Sequence, residues 1–495
     1  MKKLLMVLLL VAAMVFVSAC NRDNNGEETN GGNGGTTPPA GENGATDPVP
    51  PPVTGNDDDP VQDEVTISGI HQPRDLGGAT ITAAMWWEGG MAYAMPTAYY
   101  NEPDPATASN YHVYRLIWDN ARRVEREFNV QFDDFVFGGA GYVIEQLTTS
   151  VLAGDPLADV IFMESWMMLS AITGDLILPI DEINLPGSDL LGDQVYLLPR
   201  AEGFGHLWAF WSSGLHNRAT GIGFNLDIIN AVGAPNPIEL YESGQWTWDA
   251  MLEIMRMATR DTTGDGVTDQ WGIAGQPGEI LRHLIAANDG MLATDDFMYA
   301  LDHPNTMEAM EFLERILQEE LWLTDHPADV YDWGRNFWSF NQGTAALFPL
   351  ISWAIDPNFP FEYRLVPFPT GPSNTSGSTW MGGWVQGYTI ARGTSNAPED
   401  ILMIVEEVFS WSGDEPQLMT EGALRDAETN FRTAACANRL LQMTHTMRTD
   451  IGYIVPDFAG QLNMFADAFL TGEMSVAQAV EMHRPQLQEM LDAFR

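Results

Sequence analysis

"NYHVYRLIWDNARRVEREFNVQFDDFVF", residues 110–137, reads as a helix that runs directly into a strand. Its helical part sets Val113, Leu116, Ile117, Ala121, Val124 and Phe128 on one face at the spacing of a 3.6-residue period. Upstream, "ATITAAMWWEGG" (79–90) reads as a buried strand that ends in a loop. Downstream come a helical stretch around "YVIEQLTTSVLAGDP" (142–156), the apolar run "ADVIFMES" (158–165) and a short helix toward "GDLILPI" (174–180). Strands alternating with helices predict an α/β fold, with parallel sheets covered by helices.

The pattern continues through "GIGFNLDIINAVGAP" (221–235), "WTWDAMLEIMRMATR" (246–260), "HPNTMEAMEFLERILQEE" (303–320), "GTAALFPL" (343–350), "YRLVPFP" (363–369) and "GYTIARGT" (387–394). Thr247 is placed to cap the helix at 248, and the sequence from about 398 to 495 is mostly helical. No internal repeat is visible.

The chain opens with Lys2 and Lys3, an apolar run from Leu4 to Val17, and then Ser18-Ala19-Cys20, the layout of a secretory signal. The run is shorter than the roughly 20 residues that a spanning helix needs. Small residues before a cysteine resemble a bacterial lipoprotein signal, over 1–19, which implies that Cys20 carries lipid and anchors the protein to the membrane. From 20 to 64 the chain is Gly, Asn, Pro, Thr and acidic residues with no aromatic, a composition that cannot bury a core. As a coil it would span on the order of 35 Å, which suits a tether through an envelope layer. Cys436 is the one other cysteine, so stability must come from packing rather than a disulfide. The roughly 430 residues left exceed one compact core and predict two lobes.

The net charge of −45 makes nucleic acid an unsuitable partner. Lys2 and Lys3 are the only lysines, so every other fixed cation is Arg, which holds its charge at pH values where Lys begins to lose it. An alkaline or saline exterior and compositional drift both account for that.

"DTTGDGVTDQWG" (261–272) follows the count of an EF-hand loop: Asp261, Thr263, Asp265 and Asp269 at positions 1, 3, 5 and 9, Val267 at the backbone-carbonyl position, and Gly266 at the turn. Position 12 is Gly272, where the bidentate Glu is required. The loop is therefore either a structural calcium site completed from elsewhere or a metal-free Asp-Gly turn.

HExxH, CxxC, Walker and GxSxG motifs are absent, and "GFGHLW" (203–208) and "GIGFNL" (221–226) lack the third glycine of a dinucleotide loop. Nine scattered His show no metal spacing, and no cofactor is required. Glu88 and Glu164 could be imagined as a glycosidase pair, but among 68 acidic residues some pair always can be. Tryptophan is abundant, sixteen in all. Several stand where strands give way to loops: Trp86, Trp166, Trp211, Trp353 and Trp384. An indole face suits the C–H face of a pyranose, and ligands of open α/β sheets bind beyond the carboxyl ends of strands. Trp208 and Trp248 read instead as core.

Taken in order, "LAGDPLADVIFMES" (152–165), "GDLILPID" (174–181), "GFNLDIINAVGAPNPIELYESGQWTWDAMLEIM" (223–255), "FNQGTAALFPLISWAI" (340–355), "VPFPTGP" (366–372) and "GGWVQGYTIARGTSNAPEDILMIVEEVFSW" (382–411) resemble the extracellular solute-binding proteins of carbohydrate ABC transporters, the maltodextrin-binding-like group. The resemblance implies a two-lobed periplasmic-binding-protein-like fold of type II with a hinge of crossing segments. It places 65–214 with 344–386 in lobe 1, and 215–343 with 387–495 in lobe 2. It implies a monomer on the extracellular face of a bacterial membrane that binds a carbohydrate in the cleft and presents it to permease subunits. Carried over by position, the cleft takes Trp86, Glu88, Glu164, Trp166, Trp353, Gly383 and Trp384, with Trp211 and His216 near the first crossing. Where "SW" stands at 352–353 the family more usually has Gly-Pro-Trp or Gly-Ser-Trp. An anchored carbohydrate-binding adhesin and a glycan-degrading enzyme are the alternatives.

Overall fold

Helix α1 (Tyr111–Phe128), followed by strand β2 (Val130–Val136), buries Ile117, Ala121, Val124 and Phe128 of the face that its sequence period predicts, with Val113 and Leu116 half-buried. In this computed structural model, residues 69–86, 102, 111–188, 196–197, 206–211, 220–323, 340–351, 358–379, 386–409, 433–444 and most of 450–495 are described, with scattered positions in 421–428. Residues Ser68–Arg495 form one compact unit.

Two sheets organise this unit. The first has the order β2-β1-β3-β10-β5-β4. Its strands are β1 (Ala79–Met85), β2, β3 (Val160–Glu164), β4 (Tyr196–Leu197), β5 (Phe210–Trp211) and β10 (Gln386–Ile390). β2, β1 and β3 run parallel, joined through α1 and α2 (Val143–Ala153), whereas β10 and β5 run antiparallel to their neighbours. β3 is buried at all five positions, as expected of a strand covered on both faces. The second sheet has the order β7-β8-β6-β9, from β6 (Thr220–Asn225), β7 (Trp271–Ile273), β8 (Ala345–Ile351) and β9 (Tyr363–Val366).

Helix α3 (Ser165–Thr173) follows β3, and α4 (Leu226–Val232) and α5 (Pro237–Glu242) follow β6. Helix α6 (Trp248–Ala258) starts at Thr247, whose hydroxyl accepts from the Ala250 N–H as predicted. Its Trp248 is core, stacked on Phe312 at 4.6 Å. Helices α7 (Pro277–Ala287) and α8 (Pro304–Gln318) complete this layer. Helix α9 (Pro398–Phe409) lies on α1, and α10 (Ala434–Thr444) lies on β9. The C-terminal α11 (Ile451–Ile454) and α12 (Val476–Asp492) join the second core.

The sheet pairing corrects the expected lobe boundaries. Segment 344–386 is expected in the first lobe, yet β8 and β9 both pair antiparallel with β6 in the second sheet. The start of 387–495 is expected in the second lobe, yet β10 pairs with β3 and α9 packs on α1. Among the described residues, the first lobe therefore holds those between 69 and 211 and those of 386–409, and the second holds those between 220 and 379 and those from 433 on. The predicted signal, Cys20 and tether lie outside the described residues.

Candidate functional site

The carboxyl ends of β1 and β3 lie on one edge of the first sheet. The antiparallel β10 begins there too, with Gln386 opposite Glu164. Trp86 leaves β1 half-buried against the first-lobe core. Glu164 is the last residue of β3 and is buried. It occupies the N-cap of α3 in extended backbone, the position where an acid ordinarily accepts from the first-turn N–H groups. Here its carboxylate makes no such cap; Oε2 instead accepts the indole N–H of half-buried Trp166 at 2.7 Å.

One turn later Leu169, fully buried, belongs to the core of the second lobe, and α3 packs on α11. Helix α3, which opens with Ser165 and Trp166, is thus where the two lobes meet. The structure brings the predicted residues Trp86, Glu164 and Trp166 together. Glu88, Trp353, Gly383, Trp384 and His216 lie outside the described residues, as does the side chain of Trp211, whose backbone pairs with Tyr196 in β5 and β4. Trp208 packs against the first core, as expected.

The second lobe adds features that the sequence pattern does not reveal. Asp450, buried at the N-cap of α11, accepts from the Leu292, Ala293 and Gly452 N–H groups at 2.8, 3.2 and 2.8 Å. The strand-to-strand segment after β9 is clasped to the end of α7. Asn288 Oδ1 accepts from the Ser373 N–H, and Glu308 accepts from both Ser373 Oγ and Asn288 Nδ2. Asp289 accepts from the N–H and hydroxyl of Thr375 and of Ser376. The clasp holds residues 373–376 against the ends of α7 and α8 in the second lobe.

Burial opposes ionisation of Asp289, but the Ser376 and Thr375 hydrogen bonds outweigh it and bring its pKa from 3.8 down to about 2. A depressed folded-state pKa means stabilisation that is complete above the ordinary carboxylate value and is lost as pH falls toward 2. Asp289→Asn is accordingly expected to flatten the fall in melting temperature between the ordinary carboxylate pKa and 2, seen by calorimetry in acid buffers. An unchanged slope would show that the clasp carries no linkage.

The loop at 261–272 is tied by its own carboxylates. Asp261 accepts from the N–H groups of Thr263, Gly264 and Gly266, Asp265 from the Val267 N–H, and Asp269 from the Thr262 N–H and hydroxyl. The carboxylates hold the turn together from within, led by the Gly266 and Gly264 bonds that lower the Asp261 pKa. Among the described residues no group of three or more His, Cys, Asp or Glu is placed to hold a metal. Gly272 explains why the loop cannot end in Glu. A Cβ there would lie 2.6–2.7 Å from Met255 Cβ, Cα and carbonyl oxygen, where β7 meets α6.

Bacterial extracellular solute-binding proteins, as a sequence family, match residues 129–417, more than half of the chain. The protein belongs to this family. No curated protein matches it by sequence. Among solved structures it is similar to the maltose/maltodextrin-binding domain MalE of Bdellovibrio bacteriovorus bound to maltotriose. That match has 14% identity over 84% of this chain and 100% of that one, with a TM-score of 0.53. UspC of M. tuberculosis matches at 15% identity over 84% and 100%, TM-score 0.56. The GacH receptor of Streptomyces glaucescens, solved unliganded and with acarbose, matches at 14% over 84% and 100%, TM-score 0.56. These likenesses establish the two-lobed periplasmic-binding-protein-like fold. Members of the family are binding proteins, which removes the glycan-degrading alternative.

Proposed function

We propose that the protein is a lipid-anchored receptor on the extracellular face of a bacterial membrane. It takes up a sugar or oligosaccharide between its lobes and delivers it to the permease subunits of an ABC importer. The observation that carries this reading is the sheet edge with Trp86, Glu164 and Trp166, set where α3 of one lobe meets α11 of the other. Aromatic faces beside a carboxylate are what a pyranose needs, one apolar C–H face and hydroxyls at its rim. Solved proteins of this fold carrying maltotriose, acarbose, cycloalternan and tagatose support the ligand class. By position in the sequence, Trp353 and Trp384 add stacking surface and Glu88 a second acceptor.

Calorimetry against a panel of mono- and oligosaccharides, paired with small-angle scattering, tests the reading: a bound sugar left chemically intact and a smaller radius of gyration are expected. Binding of peptides with no sugar binding would remove it. Anchoring is tested separately. Cys20→Ala is expected to release the protein from the detergent phase, and unchanged partitioning would argue against the lipid.

A further inference from the structure

Glu164 is unusual for a residue at the start of a helix. It stands at the N-cap of α3, 7% exposed, yet its carboxylate does not cap; it takes the indole N–H of Trp166, two residues on, at 2.7 Å. A carboxylate used this way does two things to the ring. It fixes the indole about its two side-chain torsions, since the N–H has one direction and the acceptor is anchored in the last residue of β3. It also polarises the N–H, pushing electron density toward the ring and strengthening the negative potential of its face. That face favours the electropositive C–H groups of a neutral sugar. Any acid group brought to the same edge meets a buried negative charge in a protein whose net charge is already −45.

Resting on the transport reading above, we propose that Glu164 acts on the ligand through Trp166, as a positioning residue that turns the indole into an electron-rich platform and makes the site select uncharged sugars over uronic acids. The half-buried state of Trp166 fits this role: its edge is tied down beside the first-lobe core.

A double-mutant cycle tests the proposal in the full-length protein, with affinities measured by calorimetry for gluco-, xylo- and galacto-trisaccharides and for di- and trigalacturonate. In the wild-type background Glu164→Ala is expected to weaken the best neutral trisaccharide by about tenfold, the scale of a charge-assisted hydrogen bond. In a Trp166→Phe background the same change is expected to weaken it by less than about twofold, because the coupled partner is gone. Glu164→Gln keeps an acceptor for the indole and loses the charge, so the ratio of neutral to acidic sugar affinity is expected to fall. Near-ultraviolet dichroism of each variant reports the tryptophan environment independently of binding. Independent, additive losses for Glu164→Ala and Trp166→Phe, or a ratio that Glu164→Gln does not move, would overturn the proposal while leaving sugar transport standing. A wild-type protein that binds none of these sugars would remove both.

Discussion

Glu407→Ala is expected to lower the unfolding free energy by about 3–5 kcal/mol, the range for removing one partner of a buried ion pair. Glu407 lies on α9 with a side chain that is fully buried, and its Oε2 accepts from Arg123 Nη2 of α1 at 2.6 Å. Its Oε1 accepts from the His71 N–H at 2.5 Å, while the His71 ring pairs with the neighbouring Glu406 at 2.6 Å. Asn120 donates to the carbonyls of Glu407 and Val408, so the helix backbone is bound as well as its side chains. The truncated variant leaves the Arg123 guanidinium buried with Glu127 as its remaining carboxylate partner, and leaves the His71 N–H without its acceptor. Converting both sides to apolar residues, Glu407→Leu with Arg123→Met, is expected to recover a large part of the loss, since burying two charges is itself unfavourable. Urea midpoints at constant m-value measure both. A single variant within about 1 kcal/mol of wild type would contradict the pair's structural role.

How far the sequence foretells this network shows where single-sequence reading stops. The apolar period of α1 is legible, and so is its burial. Asn120 and Arg123 stand on that same face, however, and nothing in a period of apolar residues says what a buried Arg will meet nearly three hundred positions later. Within "ILMIVEEVF" two acids sit in a run apolar on all sides, a sign of a helix buried all round. Both are fully buried.

The lobe boundaries escape the sequence for a related reason. Within "GTAALFPL" the run "AALFPL" is continuously apolar, which identifies a strand covered on both faces but not the sheet that receives it. Its partner β6 lies more than a hundred residues upstream. At the site, strand exits are readable, and Trp86, Glu164 and Trp166 stand at the ends of β1 and β3 and the start of α3. The diversion of Glu164 from its helix to the indole is not, because it depends on a rotamer and not on spacing. In the loop at 261–272 the acid spacing is readable, whereas the Met255 contact that excludes a side chain at Gly272 is not, because it depends on how β7 meets α6.

Asp450→Ala is expected to produce the second large loss, about 4 kcal/mol, together with weaker ligand binding. Three backbone N–H groups converge on this buried carboxylate, from Leu292, Ala293 and Gly452, and each left without an acceptor costs about 1–3 kcal/mol. The loss reaches the site through geometry. Asp450 starts α11, and α11 is the second-lobe element that packs on α3, whose first turn holds Trp166 and whose second holds Leu169. Ile451 and Tyr453 of α11 share the core that buries Leu169. Unseating α11 therefore loosens the contact that the lobes make beside Glu164 and Trp166. Asp450→Asn, which keeps one carbonyl oxygen for the converging donors, is expected to fall between Ala and wild type. Stability is read from denaturant unfolding, and affinity and closure from calorimetry and scattering well below each variant's melting temperature. A variant that loses stability but binds and closes like wild type would confine Asp450 to the second-lobe core and break the link from α11 through α3 to the ligand.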